Sequence, residues 1–147
     1  MNRIYVLLLI CALGTQPVKA NNLNLLLETC GALSFQGIYI TFTAIGTLSD
    51  GYTAGMYDKE FASGLMSEYI ILSTTVNEQL NTLLKANILS SEDTAFIIEL
   101  NNIYQLLISE AQAYIDYLAS GEESYIYIYD SNRTKAWDKI AKVFELE

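Results

Sequence analysis

The chain contains a single proline, Pro17, and the rest of its 147 residues contain none. Proline is the strongest helix breaker, because it lacks an amide hydrogen and its ring clashes with the preceding turn. Hydrophobic residues make up 52% of the chain and charged residues 17%, which is apolar enough for a folded core. The sequence therefore predicts one domain built of long helices.

Residues 1–20 have the three-part layout of a secretory signal peptide. Arg3 supplies a positive start, the run from Ile4 to Leu13 is apolar, and Val18 and Ala20 precede the cleavage site. An apolar run of that length rises only about 15 Å as a helix, half of a bilayer core. We therefore predict cleavage after Ala20, export to the periplasm or the medium, membrane contact only during export, and a single domain over residues 21–147.

The charge balance excludes several functions. Lys and Arg total 8, Asp and Glu total 17, and histidine is absent, so the formal charge is −9. Loss of Arg3 and Lys19 with the signal peptide makes it −11. Such a chain lacks the basic surface that nucleic-acid binding needs. Without histidine it also lacks the residue that most often serves as a general base or a metal ligand. We predict no catalytic residue, metal site or cofactor. Acids on the predicted helices, such as Glu110, are expected on solvated faces.

The clearest helix begins near Ser90, which is followed by acids that suit a first turn. Apolar or small residues recur every three or four positions, and Gly121 supplies the left-handed stop. A second stripe of this kind ends near Lys85, with Asn87 as its cap. The short connection makes the two helices an antiparallel pair. The first stripe comprises Phe96, Leu100, Ile103, Leu107, Ala111, Tyr114 and Leu118, and the second comprises Leu65, Tyr69, Leu72, Val76, Leu80 and Leu83.

A further segment runs from about Leu23 to Leu48 and lacks charge from Thr29 to Ser49. We interpret it as a buried bundle helix, with a membrane-active segment as the alternative. Seven-residue spacing aligns Leu26, Leu33, Ile40 and Thr47, and a companion line of small residues, Cys30, Gly37, Ala44 and Gly51, lets another helix approach closely. A break is expected around Ser49-Asp50-Gly51, before the next helix near residue 62.

The last segment, from Glu122 to about Phe144, carries a helical stripe through Tyr125, Tyr129, Ala136 and Ile140. Together the four segments predict an all-α, up-and-down four-helix bundle after the signal peptide. The alternative is an α fold with a small two-stranded ribbon. In that case the β-prone stretches 38–43 and 125–129 pair with each other.

Two features point to contacts with other molecules. Tyr125, Tyr127 and Tyr129 cannot all face one core, because successive helical residues turn by about 100°. They are therefore candidates to face a partner. Cys30 is the one cysteine left after cleavage, so it is either a buried thiol or the link of a disulfide-bonded homodimer.

The sequence favours a binding function over an enzyme. An exported acidic surface suits a basic protein partner, because opposite charges steer encounter. One version of this hypothesis is an inhibitor or immunity-type protein that occludes a basic toxin or hydrolase. The alternative is a sensor or carrier bundle, which predicts a closed, apolar-lined cavity of at least a few hundred Å³.

Overall fold

A computed structural model describes the backbone from Ala20 and the side chains from Leu25, both as far as Leu146. The predicted signal peptide lies outside these residues, apart from Ala20. The described part of the chain forms four helices and no strand: α1 (Ala20–Thr53), α2 (Lys59–Lys85), α3 (Ser91–Ser120) and α4 (Glu123–Phe144). The chain divides into two compact units, one ending at Leu33 and one beginning at Ser34. The second unit is the predicted all-α, up-and-down four-helix bundle.

The ends of the helices follow from local chemistry. Ser90 caps α3, since its hydroxyl accepts a hydrogen bond from the Asp93 amide at 3.1 Å. Gly121 ends α3 in the left-handed region at φ 73°, as its sequence position predicts. Asp58 caps α2 by accepting from the Phe61 amide at 2.7 Å. Asn87, at φ 57°, turns the chain after α2. The short α2–α3 and α3–α4 connections make these neighbours antiparallel.

The core lies around α3, which is buried along most of its length. Every member of its predicted stripe is buried except Phe96, which is half-buried against the core. The other helices each contribute apolar side chains to the same cluster. The largest fully buried ones outside α3 are Ile38, Ile45, Met66 and Ile140.

The alternative with a ribbon is wrong, and the predicted break in the chain is misplaced. The two-stranded ribbon does not form, because residues 38–43 lie within α1 and residues 125–129 lie within α4. Burial of Ile38 and Tyr129 among other helices outweighs the β propensity of these stretches. The predicted break around Ser49-Asp50-Gly51 lies a few residues later, since α1 continues to Thr53 and α2 begins at Lys59. Gly51 lies inside the helix, and the Tyr57 ring occupies the space that a side chain would need there.

The α1 helix is less buried than its uncharged sequence predicts. Its stretch Leu25–Thr53 is long and apolar enough to cross a membrane by length and composition. Only 6% of the residues in the 18-residue window that meets this criterion are buried, however. Leu33 and Ile40 of the seven-residue line are exposed, so this line is not part of the core. In α2, Leu72 departs from its predicted stripe in the same way and is 61% exposed.

Candidate binding cleft at one end of the bundle

An open cleft of about 520 Å³ lies where the last turns of α1 and α3 meet the first half of α4. The antiparallel arrangement brings these three segments to the same end of the bundle. Most of the side chains that line the cleft are tyrosines, carboxylates and one arginine, and Ser49, Thr53 and Ile126 complete the lining. The tyrosines are Tyr114, Tyr117, Tyr127 and Tyr129, the carboxylates are Asp50, Glu123 and Asp130, and the arginine is Arg133.

Tyr114 anchors the wall of tyrosines. Its hydroxyl donates a hydrogen bond to the Ser49 carbonyl oxygen at 3.0 Å and so ties α3 to the end of α1. Its ring lies 5.0 Å from the Tyr129 ring and 5.7 Å from the Tyr117 ring, between centroids. These separations suit favourable tilted aromatic contacts. Burial raises the pKa of Tyr129 from 10.0 to about 12.

Arg133 reaches from α4 to both α1 and α3. Its Nη1 donates to Glu110 Oε1 at 2.7 Å and to the Phe42 carbonyl oxygen at 3.1 Å. Its guanidinium carbon lies 4.1 Å from the centre of the Phe42 ring, a cation–π contact. Gly46 makes this approach possible, because a side chain there would overlap the guanidinium.

Glu110 is the fully buried partner of Arg133, with 0% of its side chain exposed. Its second oxygen, Oε2, is buried and has no hydrogen-bond partner within the described part of the chain. Burial raises the pKa of Glu110 from 4.5 to about 7, although the hydrogen bond and charge of Arg133 oppose the shift. The expected place on a solvated face is therefore wrong for this residue. The sequence pattern does indicate burial of Glu110, since it lies three residues after Leu107 and four before Tyr114, inside the buried stripe.

The carboxylates of the cleft are exposed, in contrast to Glu110. Asp50 comes from α1, and Glu123 and Asp130 come from α4. They do not converge on one point, since the described residues hold no group of three carboxylates or thiols close enough to share a metal ion. The cleft lining holds three exposed carboxylates and one arginine, so its net charge is negative.

The structure separates the three candidate tyrosines. Tyr127 is 72% exposed and Tyr125 is half-buried, whereas Tyr129 is 5% exposed. Tyr129 is therefore a buried wall residue of the cleft, while Tyr127 is the exposed one. Tyr127 and Tyr129 both line the cleft.

Cys30 is a free, exposed thiol, so the buried-thiol interpretation is wrong. The disulfide between two copies at this position stays a prediction.

A second cavity, of about 380 Å³, lies between α1 and α2 and is lined mainly by apolar side chains. Both cavities are open to solvent. Neither is the closed apolar cavity that the carrier hypothesis predicts.

Comparison with known proteins adds no constraint on this site. No protein-family model, no curated protein and no solved structure matches the chain.

Proposed function

We propose that this chain is an exported, acidic binding protein whose cleft receives a lysine or arginine side chain of a basic protein partner. The observation that carries the proposal is the composition of the cleft, which is lined by both exposed carboxylates and tyrosine rings. The apolar N-terminal sequence, compatible with a signal peptide, supports the exported location.

The charges favour a cationic guest. Asp50, Glu123 and Asp130 are exposed at the cleft, while Glu110 engages the one arginine that lines it. A positive side chain therefore meets net negative charge at short range, within a chain that is negative overall. Attraction of this kind raises the association rate and excludes acidic competitors.

The tyrosines favour a guest that also carries apolar carbon. Lysine and arginine combine a cationic head with an aliphatic stem, and an aromatic face attracts the head within about 6 Å of the ring centre. Tyr127 is the most exposed ring at the cleft and Tyr117 is half-buried. A side chain that enters between them contacts both aromatic and acidic groups.

An inhibitor or immunity-type protein is the version of this proposal that fits the chain best. Such a protein needs a stable scaffold, a site that recognises the charge of its target, and no chemistry of its own. The buried α3 and the negative cleft supply the scaffold and the site.

The test compares two variants with the same change in total charge. One carries Asp50→Asn, Glu123→Gln and Asp130→Asn, and the control carries Glu68→Gln, Glu78→Gln and Asp138→Asn. All six carboxylates are exposed, and the control set lies outside the cleft. Binding of oligolysine and oligoarginine peptides is measured by calorimetry at low and high salt. We expect the cleft variant to lose at least about 10-fold in affinity and the control to lose less than 3-fold.

The exported proteins of the host provide the second part of the test. Immobilised wild-type chain should retain a basic protein that high salt releases, and the cleft variant should not retain it. Equal losses in the two variants would assign the effect to total charge and would contradict a role for the cleft. An acidic partner, or binding that strengthens with salt, would contradict the proposal as a whole.

A further inference from the structure

Arg133 belongs both to the lining of the cleft and to a buried ion pair. Its side chain is 30% exposed, whereas the side chain of its partner Glu110 is 0% exposed. Glu110 is not among the residues that line the cleft, so a guest cannot touch it there. Its charge is nevertheless 2.7 Å from an arginine that a guest can approach. A change in the charge of Glu110 is therefore transmitted to the cleft through Arg133.

Arg133 is also held by contacts that do not depend on the charge of Glu110. Its Nη1 donates to the Phe42 carbonyl oxygen at 3.1 Å, and its guanidinium carbon lies 4.1 Å from the centre of the Phe42 ring. The guanidinium occupies the space that a side chain at Gly46 would need. These contacts with α1 persist when the Glu110 carboxylate gains a proton. The guanidinium then stays at the cleft, and its positive charge is no longer compensated.

The two oxygens of Glu110 differ in their surroundings. Oε1 accepts a hydrogen bond from Arg133 at 2.7 Å, while Oε2 is buried and has no hydrogen-bond partner within the described part of the chain. A proton from solvent can bind to Oε2 without breaking the hydrogen bond at Oε1. Burial raises the pKa of Glu110 to about 7, although the hydrogen bond and charge of Arg133 lower it. The carboxylate therefore changes its charge close to neutral pH.

The titratable groups near Glu110 come from α4, α1 and its own helix. Arg133 of α4 is the charged group that acts on the pKa of Glu110, and among the described residues α2 supplies none. Burial raises the pKa of Tyr129, the charge of Arg133 lowers it, and the charges of Glu110 and Asp50 raise it. On α3 itself, the Tyr114 ring lies 5.0 Å from the Tyr129 ring. Because Tyr129 lines the cleft, the charge of Glu110 acts as far as the cleft wall.

We propose that Glu110 regulates the charge of the cleft, which binds a cationic side chain tightly when Glu110 is ionised and weakly when Glu110 is protonated. This inference rests on the proposed function, because it concerns the same guest. Protonation makes the cleft and its ion pair less negative by one charge, so affinity for a cation falls as pH drops through 7. The coupling is reciprocal, and a bound cation therefore expels the proton from Oε2 into solvent.

The test measures binding of an N-acetylated oligolysine peptide by calorimetry at pH 6 and pH 8. Acetylation removes the α-amino group, which titrates near this range, and lysine side chains stay charged throughout it. At the dielectric constant of a protein surface, one charge near the guest changes its affinity several-fold. We expect the wild-type chain to bind at least about 4-fold more tightly at pH 8 than at pH 6. Circular dichroism checks that the chain is folded at both pH values.

Two variants with the same change in total charge locate the effect. Glu110→Gln keeps an oxygen for Arg133 but cannot ionise, so its affinity should match that of the wild type at pH 6 and should not change at pH 8. Glu99→Gln removes the carboxylate of the partly exposed pair with Lys139, outside the cleft, and should keep the full pH dependence.

Proton release provides a measurement that needs no variant. Calorimetry of the wild-type chain at pH 7, in two buffers with different heats of ionisation, counts the protons released per guest bound. A 4-fold effect on affinity corresponds to release of about 0.3 proton.

The outcomes separate this inference from the proposed function. Equal wild-type affinity at pH 6 and pH 8 without proton release would overturn the role of Glu110 and leave the cationic guest in place. Tighter binding at pH 6 would contradict the direction of the effect. A pH dependence that persists in folded Glu110→Gln would assign it to another group. A wild-type chain that binds no peptide at either pH would overturn the proposed function and this inference together.

Discussion

Two ion pairs join α3 to α4 at the same distance in different surroundings. Arg133 Nη1 lies 2.7 Å from Glu110 Oε1, and Lys139 Nζ lies 2.7 Å from Glu99 Oε2. The Glu110 side chain is 0% exposed, whereas that of Glu99 is 42% exposed. Distance alone therefore does not rank these contacts. Their difference in hydration predicts that loss of one partner destabilises the bundle more at the buried pair, and that the buried pair causes the larger dependence of stability on pH.

Hydration determines the strength of each pair, because a carboxylate loses its bound water on burial. Hydrogen bonds and charges of neighbouring groups must then offset the free energy of that desolvation. Arg133 satisfies only one oxygen of Glu110, and the other has no hydrogen-bond partner within the described part of the chain. The consequence is the raised pKa of Glu110, about 7, which comes from burial. Water still reaches Glu99 and Lys139, and solvent screening makes such pairs weak.

The largest effect is expected when Arg133 is replaced. The Arg133→Met variant leaves Glu110 buried without a cation and removes the hydrogen bond to the Phe42 carbonyl oxygen. Loss of one partner of a buried pair costs about 3–5 kcal/mol. We expect the free energy of unfolding, from urea titrations followed by circular dichroism, to fall by that amount above pH 7. At pH 5 the loss should be smaller, because Glu110 is then protonated. Lys139→Met is the matched control, and an equal loss in both would contradict the role of burial.

The next largest effect is a pH dependence of the free energy of unfolding, which Glu110 causes. Its pKa rises from 4.5 to about 7 on folding, so the folded state holds the proton more tightly. Stability from this group is therefore fully present below about pH 4.5 and is lost as pH rises through 7. The shift corresponds to about 3 kcal/mol.

Unfolding curves between pH 4.5 and 8 measure this effect. Glu110→Gln should flatten the decline, and Glu99→Gln should leave it unchanged. A Glu110→Gln variant with the slope of the wild type would show that other carboxylates cause it.

Most of the bundle follows from local patterns. The stripe of α3 and the stops at Ser90 and Gly121 are visible in the sequence, because periodicity and capping depend on neighbours within a few positions. The end of α1 follows the same rule, because Gly55 takes the left-handed region at φ 71° and the Met56 amide donates to the Gly51 carbonyl oxygen at 2.8 Å.

The contacts of the candidate site are harder to predict from the sequence than the helices are. The grouping of Arg133, Lys135, Lys139 and Lys142 indicates that bases compensate acids on a neighbouring helix, and Glu99 and Glu110 are two such acids. Which pair is buried depends on the rotation of α3 about its axis. Tyr114 and Ser49 lie 65 positions apart, so their hydrogen bond has no local signal.

A smaller effect is expected from a buried contact without charge. Asn101 is 6% exposed, and its Nδ2 donates to Asn81 Oδ1 at 2.8 Å, which links α3 to α2. Asn101→Ala leaves the Asn81 oxygen without this donor, and removal of one partner of a buried hydrogen bond costs about 1–3 kcal/mol. Gln105→Ala, at an exposed position of the same helix, is the control for helix propensity. A loss of stability that does not change with pH would distinguish the effect of this uncharged contact from the effect of Glu110.

The smallest effect belongs to the exposed pair. A double-mutant cycle with Glu99→Gln and Lys139→Met should give a coupling energy of about 0.2–1 kcal/mol, which high salt should reduce. The same cycle with Glu110→Gln and Arg133→Met should give a larger coupling that salt barely changes, because water and ions do not reach Glu110. If both cycles gave the same coupling and salt response, burial would not distinguish the pairs. The pH dependence expected of Glu110 would then lose its physical basis.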